Sequence, residues 1–497
     1  MQITRNVVIR LIILALGAVL LTFAGLNWHN AVAAWVAPVF LLYYTRNATW
    51  KGILLFLLMM FFAGIFSQTY SNVLGLFIVN LVNGLSFSIL YGLVYILDKL
   101  LYKKRSGFIY TLIFPAIIVS MEYLVSLSMG TWGIITHTQY PLLGFLQITS
   151  VLGPFIISFM VAWTASVCNW AYENIGNRKR TIPGSLILGS VLVIIVLFGI
   201  LRLRYSGDAV QEVKVAMVPG DTDIHSLAKE ELVILDQYDR KSGADLPQRI
   251  YASPQAINRM ISKTENAASH NAKIIVWSED ALLVSSVQRD SLIERIKELC
   301  INNACYVLLA VLEQADDDKE LPFNNVSILI TPEGSIAWKY LKSYLHPIAE
   351  KPIINAGYFE MPTHKSEYGV LGGEICVDLD RTDYTFQSGK KNVAILLVPS
   401  YDWKGIDPLH SQMARVEAIR NGCAIIRPNG NGYSVIYDAF GKEVASSKMQ
   451  PDDNDVLLAN LPVYHINTIS AKIGQVLEFA CLALLLVFLL LKVFKRK

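Results

Sequence analysis

Apolar residues are distributed along this chain in two different ways. In the first 201 residues they form long runs at 7–26, 31–44, 53–68, 73–97, 108–128, 150–172 and 184–201, and an eighth covers 474–493. A helix needs about 20 mostly apolar residues to cross ~30 Å of hydrocarbon at ~1.5 Å per residue, so each run predicts a spanning helix. The runs at 31–44 and 53–68 are short for that, and are kept as spans because the charges between the runs require them. From 212 to 465 the pattern changes to short β-branched runs, at Val213–Val218, Lys273–Trp277, Tyr306–Val311, Val326–Thr331, Val393–Val398 and Ala424–Arg427. Helical periodicity falls between several of them, at 254–268, 288–300 and 408–421,. Gly334 and Gly441 sit in sequences expected to form hairpin turns, Pro-Glu-Gly-Ser and Phe-Gly-Lys-Glu,. Strands alternating with helices, together with hairpins, predict a layered α/β sandwich.

The charges between the apolar runs predict an orientation. Arg5 and Arg10 precede or open the first run. Arg46 and Lys51 separate the second and third, Lys99, Lys103, Lys104 and Arg105 the fourth and fifth, and Arg178, Lys179 and Arg180 the sixth and seventh. The intervening loops at 27–30, 69–72 and 129–149 carry no Lys or Arg. Basic and uncharged loops therefore alternate, as expected for a cytoplasmic N-terminus. The eighth run ends in Lys492, Lys495, Arg496 and Lys497, again expected in the cytoplasm. The expected division is a seven-helix transmembrane domain over 1–201, an extracytoplasmic domain over 202–473, and a transmembrane helix with a basic cytoplasmic tail over 474–497. The first run is not expected to be a cleaved signal, since no small-residue cleavage site follows it.

Composition agrees with a membrane location. Hydrophobic residues make up 53% of the 497 and charged residues 17%, with mean hydropathy +0.42. Soluble chains carry about 25% charge. Disorder, collagen and a disulfide-dense miniprotein are excluded. A net charge of +3 with no basic patch predicts no nucleic-acid partner,. The six cysteines form no CxxC pair and no Cys/His zinc spacing,. Cys300 and Cys305 could pair in an oxidising compartment, but five residues apart across a helix end is poor disulfide geometry. No GxGxxG follows a strand, and GxxxxGK[ST], HExxH and GxSxG are missing, so neither a cofactor nor a metal is expected,.

Three polar residues stand at strand ends. Glu279 closes Ile-Ile-Val-Trp-Ser-Glu, Lys342 follows Ser-Ile-Ala-Trp-Lys-Tyr-Leu, and Cys376 closes Gly-Gly-Glu-Ile-Cys. Brought into one cleft, the carboxylate can take the thiol proton, the thiolate can attack, and the ammonium can stabilise thiolate and oxyanion. Each also has a plain structural reading: a surface or helix-start Glu, a solvated Lys, a packed Cys. Glu122 interrupts an apolar run, where a carboxylate marks function by default; snorkelling or a bond to a neighbouring helix is the alternative. Cys423 reads as core. Trp403 is either substrate-lining or packed, and His410, at a helix start, reads as a capping or pairing residue.

These segments occur in a familiar order. Trp-Ser-Glu-Asp-Ala, Tyr-Leu-Lys-Ser-Tyr-Leu-His-Pro-Ile-Ala-Glu and Gly-Glu-Ile-Cys-Val-Asp resemble the Glu-Lys-Cys triad segments of the nitrilase (carbon–nitrogen hydrolase) superfamily. Val-Pro-Ser-Tyr-Asp-Trp, followed by His410, Gln412, Arg415 and 417–420, resembles the stretch after its nucleophile. Seven spans, an external nitrilase-like domain and one more span is the layout of the apolipoprotein N-acyltransferase family. The loop Gly130-Thr131-Trp132…Gln139…Gln147 is similar to that family's segment before its sixth span.

The resemblance implies an αββα sandwich, with Glu279 as general base, Lys342 as oxyanion-stabilising cation and Cys376 as nucleophile. Glu350 matches a supporting glutamate, and Asp378 falls where the family carries a second acid. Cys376-Val377-Asp378 replaces the family's Cys-Tyr-Glu, and the connection from Glu350 to Cys376 is shorter than in typical members. The implied reaction moves an acyl chain from a phospholipid donor through a cysteine thioester to the α-amine of a diacylglyceryl apolipoprotein. It implies a monomer in the bacterial inner membrane, with the catalytic domain on the periplasmic face. Glu350 and Asp378 are read as residues that handle the acceptor amine, the alternative for Glu350 being to hold Lys342 in place. A membrane-tethered nitrilase-type amidase and a non-catalytic scaffold are the competing functions.

Overall fold

A computed structural model describes residues 2–25, 28–68, 77–105, 107–220, 250–316, 319–346, 350–402, 406–449 and 456–494. The chain divides into two units, Met1–Ser206 with Lys472–Lys497, and Gly207–Ala471.

The first unit is helical: α1 (Gln2–Ala24), α2 (Ala31–Asn47), α3 (Trp50–Gln68), α4 (Phe77–Leu101), α5 (Ile113–Met129), α6 (Phe155–Glu173), α7 (Arg178–Arg204), and the later helix Val476–Phe494. Each predicted apolar run is found as a helix. Seven of the eight are long and apolar enough to cross a membrane, and the exception is α2, with 17 residues. α1 packs on α2, α3 on α4, and α5 on both α6 and Val476–Phe494. The basic residues around 46–51 and 99 are not all solvated loop charges. Arg46 is buried in the last turn of α2, its Nε 2.8 Å from Asp98 Oδ2 on α4. Lys99 Nζ donates to the carbonyls of Thr45 (2.9 Å) and Ala48 (2.7 Å) at the C-terminal end of α2, where helix carbonyls run short of N–H partners,. Burial of Arg46 in an apolar unit is sustained by that pairing.

The second unit holds two sheets. The strands are β1 (Gln211–Val218), β2 (Ile274–Trp277), β3 (Leu283–Val284), β4 (Tyr306–Gln314), β5 (Phe323–Ile330), β6 (Ile336–Leu341), β7 (Thr363–Ser366), β8 (Gly369–Gly373), β9 (Val393–Leu397), β10 (Ala424–Arg427), β11 (Gly432–Tyr437), β12 (Glu443–Met449) and β13 (Leu457–Val463). The first sheet runs β13-β1-β2-β4-β5-β6 with β3 beside β4, and the second β12-β11-β10-β9-β8-β7. β1, β2 and β4 are parallel, as are β8, β9 and β10, with antiparallel strands at the edges. Strands buried on both faces read as continuous apolar runs, which is why β2 and β4 stand out in the sequence.

Alternation assigns the faces. Val213, Val215 and Met217 enter a core shared with Leu371, Ile395 and Leu397 of the second sheet. Ala216, Val218, Ile275 and Trp277 pack with Met260, Ile261, Leu292 and Ile296 of α8 (Pro254–Ser269) and α9 (Ser286–Asn303). Helices α10 (Thr382–Lys390) and α11 (Leu409–Asn421) pack on the second sheet. The layers are therefore α-β-β-α. Gly334 (φ +74°) and Gly441 (φ +72°) turn the β5–β6 and β11–β12 hairpins, in a backbone region that favours glycine,. All six cysteines are free, Cys300 and Cys305 among them, and Cys423 is buried ahead of β10.

Candidate active site

The ends of both sheets build the site. Glu279 follows β2 and Lys342 follows β6, on the first sheet; Cys376 follows β8, on the second. All three are buried. Lys342 Nζ stands 2.6 Å from Glu279 Oε1 and 2.7 Å from Glu350 Oε1, so one ammonium bridges two carboxylates. Asn325 on β5 donates its Nδ2 to the same Glu279 oxygen at 2.9 Å. Glu279 Oε2 accepts the backbone N–H of Tyr401 at 2.9 Å, and Glu350 Oε2 that of His346 at 2.7 Å. Donors thus hold both oxygens of each carboxylate, fixing its direction.

The Cys376 backbone is left-handed, with φ +48°, in a tight turn that follows β8. A non-glycine residue held there costs about 1–3 kcal/mol and persists only where its surroundings over-determine it. Those surroundings include Asp378. Its Oδ2 accepts the N–H of Ile375 at 3.1 Å and the hydroxyl of Tyr340 at 2.7 Å, and its Oδ1 accepts the N–H of Tyr344 at 2.8 Å. Tyr340 and Tyr344 flank Lys342 in sequence, so Asp378 ties the Cys376 turn to the strand end that carries Lys342. Burial pushes the Asp378 carboxyl up to about 7, against the pull of these bonds and of the Lys342 charge.

The charges around the thiol are arranged for proton transfer. Burial and the Glu279 charge raise the Cys376 thiol well above its ordinary pKa, with Lys342 and Arg427 opposing. Burial alone would lower Lys342, but Glu279, Glu350 and Cys376 outweigh it and hold the ammonium well above its usual range. A protonated thiol beside an oriented carboxylate and a permanently charged ammonium can be deprotonated as it attacks, leaving the cation to face the developing oxyanion.

A second buried cluster lies beside Cys376; the sequence singled out His410 and carried Asp402 only within Val-Pro-Ser-Tyr-Asp-Trp. His410 Nδ1 stands 2.7 Å from Asp402 Oδ1 and its Nε2 2.8 Å from Asp380 Oδ1, while Arg427 Nη2 reaches Asp402 Oδ1 at 2.8 Å. Burial would lower the His410 pKa, but Asp380 and Asp402, against Arg427, raise it to about 9, so the ring donates from both nitrogens at neutral pH. Cys376, Asp402 and His410 place potential metal ligands within 4.8 Å of one another. With both nitrogens turned to carboxylates, His410 has no lone pair for a metal or for the cysteine proton. Its capping-or-pairing reading holds in the pairing sense. Asp402 directly follows Tyr401, whose N–H holds Glu279 and whose carbonyl lies 3.9 Å from Cys376 Sγ. Trp403 lies outside the described residues.

The fold and the site define a nitrilase-type enzyme unit in a chain that also carries a bundle of apolar helices. A model of the carbon–nitrogen hydrolase family matches residues 244–468, and one of the apolipoprotein N-acyltransferase N-terminal domain matches residues 17–167. An apolipoprotein N-acyltransferase of Shewanella oneidensis is 23% identical over 395 residues, which is 72% of this chain and 68% of that protein. One from Vibrio vulnificus is 26% identical over 205 residues, 35% of this chain and only 40% of the relative's length. Among solved structures, an amidase from Nesterenkonia sp. shares 15% identity with a TM-score of 0.40, over 55% of this chain and 98% of that one. With the two family models together covering most of its length, the chain belongs to the apolipoprotein N-acyltransferase family of the nitrilase superfamily.

Proposed function

We propose that this protein transfers an acyl chain from a phospholipid, through a thioester on Cys376, to the α-amine of a lipoprotein's N-terminal S-diacylglyceryl cysteine. Glu279 takes the thiol proton as Cys376 attacks the ester carbonyl, and Lys342 faces the oxyanion. The lysophospholipid leaves with a proton returned by Glu279. The acceptor amine then attacks the thioester, Glu279 removes its proton, and the amide and free thiol result. The observation that carries this reading is the Lys342 ammonium seated between Glu279 and Glu350 in the unit that holds the strained Cys376 turn.

Physical chemistry supports the pairing with a membrane bundle. Both substrates are anchored by acyl chains, each methylene worth about 0.8 kcal/mol to bury, so a soluble enzyme would have to extract them. Exclusion of water at the thioester stage separates a transferase from a lipase. The alternation of basic and uncharged loops supports a cytoplasmic N-terminus, with residues 207–471 on the periplasmic side of the bacterial inner membrane. We read the protein as a monomer.

The test is trapping of labelled acyl-enzyme from a labelled phospholipid, followed by mass spectrometry of lipoprotein N-termini with and without this protein. Cleavage of small amides without acyl-enzyme from lipid would instead make it an amidase, and an inert chain a scaffold.

A further inference from the structure

Glu122, marked by the sequence and unused by the reaction, points to a second site. It lies midway along α5 in the apolar unit and is 5% exposed. Its Oε1 accepts the N–H of Ile135 at 2.9 Å, whereas its Oε2 is buried with no hydrogen-bond partner. The Ser158 hydroxyl interacts with the carboxyl and also stands 3.2 Å from Thr136 Oγ1, yet Oε2 itself is left without a bond of normal geometry. Glu122 lines a cavity of about 250 Å³. His29 lines the same cavity, and its Nε2 is also buried without a partner. Most of the remaining wall is apolar or aromatic, including Phe87, Tyr91, Phe114 and Trp132, and no Lys or Arg is among its described residues.

Two residues that line one largely apolar cavity each carry an unsatisfied polar atom, which calls for a ligand with matching chemistry. A carboxyl in an apolar unit either keeps its proton or pairs with a cation, and each buried acceptor is stabilised by a donor. A primary ammonium supplies the charge and more than one N–H; an alcohol supplies no charge, and a quaternary ammonium no N–H. A cavity of about 150 Å³ holds benzene, so one this size takes several methylenes beside the head. We propose that this cavity binds the primary ammonium of an amphiphile, with Glu122 as its counterion and His29 as a second acceptor. Such a head can come from an aminophospholipid or from the α-amine of a lipidated peptide.

The proposal does not rest on the acyl-transfer reading, because binding is measured without turnover. Full-length protein in non-ionic detergent is titrated with dodecylamine, dodecan-1-ol and dodecyltrimethylammonium and read by native mass spectrometry. One dodecylamine per chain is expected, with the other two retained weakly. Glu122→Gln keeps an acceptor for the Ile135 N–H while removing the charge, and is expected to weaken dodecylamine about 10-fold or more. Unchanged melting temperature and unchanged iodoacetamide labelling of Cys376 verify that this variant is folded. His29→Ala is expected to weaken binding less. Displacement by phosphatidylethanolamine assigns the site to a lipid head, and displacement by a diacylglyceryl-cysteinyl peptide to a lipidated peptide. Equal dodecylamine binding by wild type and a folded Glu122→Gln, or equal retention of the alcohol, overturns the proposal.

Discussion

Lys342 and Glu350 form an ion pair of 2.7 Å whose other carboxylate oxygen is held by a backbone N–H, so Glu350 is a fixed bracket for the cation. That geometry favours the positioning alternative over a role in meeting the acceptor amine. Asp378 is likewise occupied, with three donors on its two oxygens. The first prediction follows. Glu350→Gln slows acyl-enzyme formation itself by about 10-fold to 100-fold, less than the ~10²–10³-fold for removing an oxyanion donor outright. Single-turnover acylation without acceptor measures it; normal acylation with blocked transfer would return Glu350 to acceptor handling.

The triad should behave as one machine. Cys376→Ala abolishes thioester formation, and Glu279→Gln, which keeps shape but not basicity, reduces it by about 10²–10⁴-fold. Trapped acyl-enzyme from labelled phospholipid reports both. Near-native transfer by Cys376→Ala would eliminate covalent catalysis.

His410 should leave a signature in the pH dependence of stability. Its folded pKa, about 9, lies above the ordinary value of 6.5, so the stabilisation is fully present below about pH 6.5 and is lost as pH rises through about 9,. Thermal unfolding of wild type should therefore decline over that window. In His410→Asn the decline should vanish, while Arg427 still holds Asp402 in place. A variant that retains the full alkaline decline would exclude His410 as its source.

Orientation is tested at the β5–β6 hairpin. A cysteine at exposed Ser335 in intact cells should react with a membrane-impermeant maleimide once the outer membrane is permeabilised. Reaction only after lysis would place residues 207–471 in the cytoplasm.

Much of this was legible in the chain, for identifiable reasons. Spanning helices and doubly buried strands such as β4 announce themselves because the burial of each residue is written in its own side chain. Glu279, Lys342 and Cys376 were legible because reactive residue types interrupt or end such strands. What escaped depends on partners distant in sequence. β13 pairs with β1 across the length of the unit, as Leu461 opposite Val213 shows. β7, Thr-His-Lys-Ser, has too little β-branched content to read as a strand. Asn325 reads as an ordinary strand polar residue until Glu279 is placed beside it. Arg46 and Lys99 resembled loop charges, because only the fold reveals that one is buried against Asp98 and the other caps a helix. The Tyr401 contribution comes from its peptide group and carries no signature in residue identity.

Glu279 and Lys342 are mounted at strand ends of one sheet and Cys376 at a strand end of the other, and between the sheets lies the packed layer containing Val215, Val276, Leu371 and Ile395. Those side chains form no part of the Glu279–Lys342 pair, yet their combined thickness is the gauge that spaces it from Cys376. Over evolutionary time, a methyl group lost at one such position would have to be answered by one gained nearby. Drift in the interior of this unit should therefore be correlated across the two sheets, with turnover rather than stability as the trait that selection sees first.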